Sequence, residues 1–264
     1  MPGYSSIKLA SKYAAFLLKA KKLHGVHSPF IYRFSEEVLY NGHKFYAYDA
    51  IEFVRSELLN NKEVIEVTDF GAGSRIFQSN KRSVKAIARH VLLQPKYGQL
   101  LFRMVEYFNP KTIIELGTAL GITSLYLAYH HKNTTLHTFE GCPNTAAFSQ
   151  QVFQKLNVDN IVPHIGPFDD TLPDFLNTTK SVDFAFVDGN HTYEATMRYF
   201  NLLLPKIHED TVLVFDDIHL SEEMEQAWEA IKENPTVTCS VDVFKFGIVF
   251  FKPGKEKEDF VLRY

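Results

Sequence analysis

The feature that most constrains the fold is a regular alternation of short apolar strands and amphipathic helices across the second half of the chain. Seven segments have the composition and length of strands: 112–116, 135–140, 160–164, 182–187, 211–215, 236–243 and 246–251. Strands that alternate with helices through short connections form parallel sheets covered on both faces. The last two segments are joined tightly, which indicates an antiparallel pair. The sequence predicts an α/β fold with a seven-stranded, mostly parallel sheet and one antiparallel strand.

The first part of the chain has a different pattern. Helical periodicity runs through 6–23, 31–39, 49–60, 81–92 and 96–108, and only 63–70 resembles a strand. Net charge changes along the chain as well, from +7 over residues 1–98 to -10 over residues 99–264. We expect a mostly helical N-terminal region, residues 1–95, that covers an acceptor site or mediates dimerisation, followed by an α/β domain, residues 96–264.

Composition excludes several classes of protein. Hydrophobic residues make up 45% and charged residues 22%, which is typical of a globular protein and not of a disordered chain or a coiled coil. No apolar run approaches the roughly 20 residues of a membrane-spanning helix. Two cysteines, Cys142 and Cys239, cannot form a disulfide framework. We therefore expect a cytoplasmic protein.

Candidate binding residues follow the first predicted strands. In an open parallel sheet, ligands bind beyond the carboxyl ends of the strands. The first strand leads into Glu115, Gly117, Thr118 and Gly121, and the second ends at Glu140. The two glycines allow a tight turn and close approach of a ligand to the backbone, and the helix that follows presents its N-terminus to that ligand. Glu115 suits an ammonium group and Glu140 a ribose diol, although both could also be solvated acids at strand ends.

Further polar residues follow the third, fourth and fifth predicted strands. Phe168 and Asp169 come after the third strand, Asp188 and His191 after the fourth, and Asp216 and Asp217 after the fifth. The convergence of polar groups at every strand end carries more weight than any single motif. A histidine with carboxylates is suited to general base chemistry near neutral pH.

These motifs together resemble the class I S-adenosylmethionine (SAM)-dependent methyltransferases. The residues that carry the resemblance are 115–124, Phe139 with Glu140, 187–194 and 215–219, and it covers roughly residues 96–251. The chain is most similar to the catechol, caffeoyl-CoA and macrocin-type O-methyltransferases. The resemblance implies a Rossmann-like fold with SAM as the cofactor.

The resemblance also implies roles for single residues. Glu115, Gly117, Thr118 and Gly121 would line the amino-acid end of SAM, Glu140 would hold the ribose, Phe168 and Asp169 would contact adenine, and Asp188 would border the cofactor. Asp188, Asp216 and Asp217 match the positions that hold a divalent cation such as Mg²⁺ in the metal-dependent members. His191 stands where catechol-type enzymes have a general-base lysine, so His191 with Asp188 is the predicted catalytic pair.

Alternatives to these roles stay open at this level. His191 could instead cap the following helix or bind substrate, the three aspartates could form a metal-free polar pocket floor, and His219 could be a surface histidine. A second glycine-rich segment, Asp69–Ser74, reads as a structural or substrate-facing loop. The segment His24–Phe30 is interpreted as a helix end at Gly25, followed by an N-cap at Ser28 and a new helix that begins at Pro29.

The predicted function is SAM-dependent O-methylation of a small hydroxylated acceptor, with or without a divalent metal. An RNA or N-methyltransferase that uses the basic N-terminal region is one alternative, and a non-catalytic cofactor-binding protein is another. Nucleic acid is disfavoured as a partner, because no Asn-Pro-Pro-Tyr-like motif follows the fourth strand. Residues 7–22 are basic and amphipathic and could contact a membrane surface without spanning it. A homodimer is also compatible with the sequence.

Overall fold

In a computed structural model of the chain, the described residues are 3–22, 25, 27–68, 79–129, 131–254 and 256–264. They form an α/β fold with a mostly parallel central sheet of eight strands, helices around it and a helical N-terminal region. The predicted fold class is thereby confirmed, with one strand more than expected. The chain divides into two compact units, Gly42–Asn177 on the one hand and Met1–Asn41 with Thr178–Tyr264 on the other.

The described helices and strands are as follows. The helices are α1 (Ser6–Lys19), α2 (Pro29–Phe34, continued by a π-helical turn at Ser35–Leu39), α3 (Tyr46–Leu58), α4 (Val84–Val91), α5 (Pro95–Phe108), α6 (Ile122–Ala128), α7 (Pro143–Lys155), α8 (Phe168–Thr178), α9 (Tyr193–Leu203, continued by a 3₁₀ turn at Leu204–Lys206) and α10 (Glu222–Glu233). The strands are β1 (Val64–Glu66), β2 (Lys81–Ser83), β3 (Thr112–Leu116), β4 (Thr135–Glu140), β5 (Ile161–Ile165), β6 (Phe184–Val187), β7 (Val212–Asp216), β8 (Cys239–Asp242), β9 (Phe246–Phe250) and β10 (Glu258–Val261).

The unit Gly42–Asn177 is built around three parallel strands in the order β3, β4, β5. Helices α5 and α6 pack closely because Gly98 has no side chain: a Cβ there would lie 2.4 Å from the ring of Tyr126. That ring is fully buried, and its hydroxyl donates to Glu52 Oε1 at 2.6 Å. The register pairs Leu116 with Phe139 and Glu140 with Ile165, so the carboxyl ends of all three strands lie at one edge.

The other unit contains the remaining strands in the order β6, β7, β9, β8, β10. Strand β9 is antiparallel to both neighbours, and β10 adds a parallel strand beside β8. Helix α10 covers these strands with Trp228, whose ring leaves no room for a Cβ at Gly247. Helix α1 is attached to α10 through Glu225, which accepts from Lys12 Nζ at 2.7 Å and from Tyr4 Oη at 2.8 Å.

Several predicted boundaries differ from the structure. The N-cap of α7 is Cys142, because Pro143 with its fixed φ takes the first helical position. Residues 81–83 form β2 rather than the first turn of a helix, and Ser83 caps α4. Ser28 and Pro29 occupy the predicted N-cap and first helical positions of α2. His24 and Asp69–Ser74 lie outside the described residues, and the domain boundary at residue 95 stays a prediction.

Candidate active site

A tight loop connects β3 to α6. Three of its residues have positive φ: Gly117 at 107°, Ala119 at 46° and Gly121 at 82°. The backbone amides of Gly117 and Thr118 both donate to the carbonyl of Phe139, at 3.0 and 3.1 Å. The loop therefore folds over the end of β4, and Gly121 serves as the N-cap of α6. Amide groups at the start of a helix suit a ligand with acceptor or negatively charged groups.

Glu140, the last residue of β4, fixes this loop from the neighbouring strand. Its Oε2 accepts from the amide of Ala119 at 3.0 Å, and its Oε1 accepts from the amide of Cys142 at 2.9 Å. Burial raises the pKa of the Glu140 carboxyl, against the lowering effect of these backbone donors. Each carboxylate oxygen has a second lone pair, so Glu140 retains the capacity to accept from a ligand hydroxyl.

Glu115 lies inside the unit rather than in solvent. Its side chain is fully buried, and its Oε2 accepts from Thr138 Oγ1 at 2.6 Å and from Ser124 Oγ. Thr118 joins the same network through a hydroxyl contact of 2.6 Å to Thr138. The alternative that Glu115 is a solvated strand-end acid is wrong. Glu115 ties together β3, β4, the loop and α6.

The loop after β5 meets the same edge of this unit. The amide of Gly166 donates to the carbonyl of Glu140 at 3.0 Å, and Gly166 has a φ of 137°. Phe168 and Asp169 follow at once as the first residues of α8, where Phe168 is half-buried and Asp169 is exposed. The structure thus gathers the predicted binding residues of the first three strands, 115 to 169, at one edge.

The second group of predicted residues lies in the other unit, at the ends of β6 and β7. His191 Nε2 lies 3.4 Å from Asp188 Oδ1, while Asp216 is buried with a side chain only 4% exposed. The N-cap of α9 is Thr192, whose hydroxyl accepts from the amide of Ala195. His191 therefore does not cap the helix, which removes one of its alternative roles. Its ring instead belongs to the cluster of acids.

Electrostatics within this cluster shift several pKa values. Burial acts to lower the pKa of His191, but the hydrogen bond and charge of Asp188, with the charges of Asp217 and Asp216, raise that pKa to about 9. Burial and the charge of Asp217 raise the pKa of Asp216. A pKa raised to about 9 favours the protonated imidazole of His191 near pH 7.

Sequence reasoning missed Lys245, a central residue of this cluster. Lys245 Nζ lies 2.9 Å from Asp216 Oδ2 and 2.6 Å from Asp217 Oδ1. Lys245 is in the tight turn between β8 and β9, and the β7–β9 register pairs Asp216 with Phe246, the residue after it. The hairpin of β8 and β9 was predicted, but its pairing with β7 was not. That pairing is what brings Lys245 to Asp216 and Asp217.

His219 is a structural member of the same unit and not a plain surface histidine. Its Nε2 lies 2.9 Å from Asp242 Oδ2 and its Nδ1 lies 3.1 Å from Glu225 Oε1. Its ring stacks on Phe244 with centroids 5.0 Å apart. His219 thereby connects α10 to the turn that carries Lys245.

Three side chains of this cluster present donor atoms of the kind that a divalent cation binds. Asp188, His191 and Asp216 each have a ligand atom within 4.8 Å of the others, and Asp216 Oδ1 accepts no hydrogen bond from the residues that the structure describes. The spacing of these three donors would admit a metal, although Asp216 is also paired with Lys245. Asp217, the third predicted ligand, is outside the set and is paired with Lys245.

Comparisons with known proteins agree with this architecture. Residues 114–218 match the family model described as a methyltransferase domain. Among solved structures, the SAH-bound methyltransferase PaMTH1 from Podospora anserina is similar with a TM-score of 0.58 and 16% identity, covering 86% of this chain and 97% of that one. The O-methyltransferase from Bacillus cereus in complex with SAH has a TM-score of 0.54 at 16% identity, covering 83% and 96%.

A further similar structure is the O-methyltransferase TomG from Streptomyces achromogenes, which is involved in tomaymycin synthesis and was solved with SAM. It has a TM-score of 0.54 and 16% identity, and the match covers 84% of this chain and 95% of that one. At these identities the likeness shows the fold. Together with the family model over residues 114–218 it confirms the predicted class I methyltransferase fold.

Proposed function

We propose that this methyltransferase transfers the methyl group of SAM to an oxygen atom of a small hydroxylated acceptor. The observation that carries the choice of an oxygen acceptor is the pair formed by His191 and Asp188, next to the buried Asp216. A hydroxyl group must lose its proton to become a good nucleophile, and a positioned base contributes on the order of 10²–10⁴-fold.

The edge formed by β3, β4 and β5 is the proposed site for SAM. Gly117, Thr118 and Gly121 would border its amino-acid end, and Glu140 its ribose hydroxyls. The positive φ of Gly117 and Gly121 supports this assignment, because an open backbone admits close approach of a ligand. Phe168 and Asp169 are proposed for the adenine, and Asp188 for the border of the cofactor.

Glu115 has a modified role in this proposal. Its buried carboxylate holds Ser124 and Thr138, so we assign it to shaping the loop that receives the amino-acid end of SAM. SAM supplies an electrophilic methyl group on a sulfonium. As the oxygen–carbon bond forms, the bond from that carbon to sulfur breaks and leaves the neutral thioether S-adenosylhomocysteine (SAH).

His191 is the proposed acceptor of the hydroxyl proton. Its Nε2 is directed to Asp188, which leaves Nδ1 as the nitrogen that takes the proton. Asp188 then stabilises the imidazolium. Because the pKa of His191 is raised to about 9, the active neutral form is scarce at pH 7 and becomes more abundant as pH rises.

A divalent cation held by Asp188, His191 and Asp216, or by the predicted set of Asp188, Asp216 and Asp217, would polarise the acceptor oxygen when bound. The spacing of the first set would admit an ion, but Lys245 Nζ already pairs with Asp216 and Asp217. No step of the proposed proton transfer requires the ion, since His191 and Asp188 are sufficient for it.

The N-terminal region is proposed to border the acceptor. In support of this, the rings of Tyr13 and Phe16 in α1 lie 4.8 and 5.3 Å from Phe244, the residue before Lys245. Ile7 and Leu18 of the same helix are 84% and 90% exposed, which leaves contact with a membrane surface or a second copy as a prediction. Among the described residues, no helix is both long and apolar enough to cross a membrane.

The test is a panel assay with labelled SAM and phenolic, sugar and polyketide-type hydroxyl compounds, followed by mass spectrometry of the products. The proposal predicts an oxygen-methylated product on at least one compound class and its loss in H191Q. Methylation of RNA or of amines alone would favour the N-methyltransferase alternative. Tight SAH binding with no turnover on any acceptor would favour the non-catalytic alternative.

A further inference from the structure

The acidic cluster already contains a cation that belongs to the protein. Lys245 Nζ lies within 2.9 Å of one oxygen of Asp216 and within 2.6 Å of one oxygen of Asp217. Its side chain is only 25% exposed. An ammonium group at these distances makes two charge-assisted hydrogen bonds with the very carboxylates that sequence resemblance assigns to a metal.

The backbone around Lys245 holds the ammonium group in place. The amide of Asp217 donates to the carbonyl of Lys245 at 2.8 Å, and the amide of Lys245 donates to the carbonyl of Val243 at 3.0 Å. Phe244 adopts a positive φ of 71°, its amide donates to Asp242 Oδ1 at 2.7 Å, and its ring stacks on His219. These contacts therefore fix the turn that carries Lys245.

The ammonium group of Lys245 pairs with Asp216, which is also one of the three residues whose spacing would admit a divalent ion. A divalent ion placed among Asp188, His191 and Asp216 would face this ammonium at short range, because Lys245 Nζ lies 2.9 Å from Asp216 Oδ2. Like charges at such distances repel strongly in a partly buried site.

We propose that the ammonium group of Lys245 is the resident cation of this cluster, so that the cluster binds no divalent metal while Lys245 is present. Lys245 then acts as a positioning residue: it holds Asp216 and Asp217 in fixed orientations and balances their charge. Its importance for catalysis rests on the proposed methyl transfer, whereas its exclusion of metal does not.

The experiment measures Mn²⁺ binding by electron paramagnetic resonance of the free ion, with the full-length protein. Wild type should leave the signal of the free ion unchanged, and K245M should reduce that signal because a Mn²⁺ site is gained. K245R retains the positive charge and should behave as wild type does. K180M, which removes an exposed lysine of the same unit, controls for the loss of one surface charge.

Two results would overturn the proposal. Tight binding of Mn²⁺ by wild type would show that Lys245 does not occupy the cation position, and this result needs no variant. A folded K245M that still binds no Mn²⁺ would show that the carboxylates have no cation site for Lys245 to fill. SAH titration of wild type and K245M tests the proposed function separately, because SAH binding does not depend on the Mn²⁺ result.

Discussion

The backbone amide of Ala119 donates to Glu140 Oε2 at 3.0 Å, so the acid that ends β4 determines the conformation of the loop that follows β3. Ala119 has a positive φ of 46°, which is unusual for a residue with a side chain. A single carboxylate thus supports a strained loop at the position where SAM is proposed to bind.

The first prediction concerns E140Q. A glutamine side chain has one acceptor oxygen and one NH₂ group, so it cannot accept from both Ala119 and Cys142. We expect SAH binding to weaken by roughly 10–100-fold, which corresponds to about 1.4–2.8 kcal/mol. Isothermal titration calorimetry measures this. The control E63Q changes an exposed glutamate of the same unit and should bind SAH as wild type does. Wild-type affinity in E140Q would show that Glu140 is not part of the SAH site.

The second prediction concerns G121A. A Cβ at Gly121 would lie 2.6 Å from Phe153 Cε1, and the φ of 82° adds strain for any residue with a side chain. We expect a lower Tm and loss of SAH binding. Gly254 is a matched control, because it has a φ of 77° with no heavy atom within 4 Å of an added Cβ. If G121A and G254A lose equal stability, the contact with Phe153 is not a constraint.

The third prediction concerns the pH dependence of methyl transfer. Because only neutral His191 accepts a proton, kcat should increase as pH rises toward the pKa of about 9 and then level off. H191Q should lower kcat by on the order of 10²–10⁴-fold and abolish this pH limb, with little change in SAH affinity. The matched control is H208Q, since His208 also pairs with an aspartate, Asp183, at 2.7 Å. An unchanged pH limb in H191Q would assign the base to another residue.

The fourth prediction concerns stability against pH. His137 Nδ1 lies 3.1 Å from His164 Nε2, and burial together with His164 lowers the pKa of His137 to about 4 from 6.5. The imidazole of His137 therefore binds a proton near pH 6.5 in the unfolded chain but only near pH 4 in the folded chain. Stability should be complete above pH 6.5 and should fall between pH 6.5 and pH 4.

Urea unfolding at one pH above 6.5 and one between 6.5 and 4 checks this prediction. H137F removes the titrating group and should reduce the dependence of the urea midpoint on pH. H90Q, at an exposed histidine of α4, should leave that dependence as it is in wild type. A urea midpoint that is the same at both pH values would contradict the assignment to His137.

The strand–helix alternation was predictable because its signal is local. Buried parallel strands such as β6 are continuous apolar runs, and helices such as α10 begin with an N-cap that the sequence shows, here Ser221. The glycine loop and its acids were predictable for the same reason, since Glu115 to Gly121 are adjacent in the chain.

Features that depend on tertiary pairing were not predictable from the sequence. Helix α8 has a weak local signal because Pro173 stands inside it, and β10 was not predicted because it is short and half-exposed. Lys245 lies 28 residues from Asp217 in the chain, and only the β7–β9 register brings them together. The raised pKa of His191 depends on the same tertiary cluster of charges.

The most direct test of the central claim is a calorimetric titration of the wild-type protein and a G117V variant with SAH. The account predicts micromolar binding by wild type, roughly -8 kcal/mol, and no binding by G117V, because Gly117 has a φ of 107° that a β-branched residue does not tolerate. The absence of binding heat with wild type, or equally tight binding by a folded G117V, would contradict the assignment of the loop after β3 to SAM.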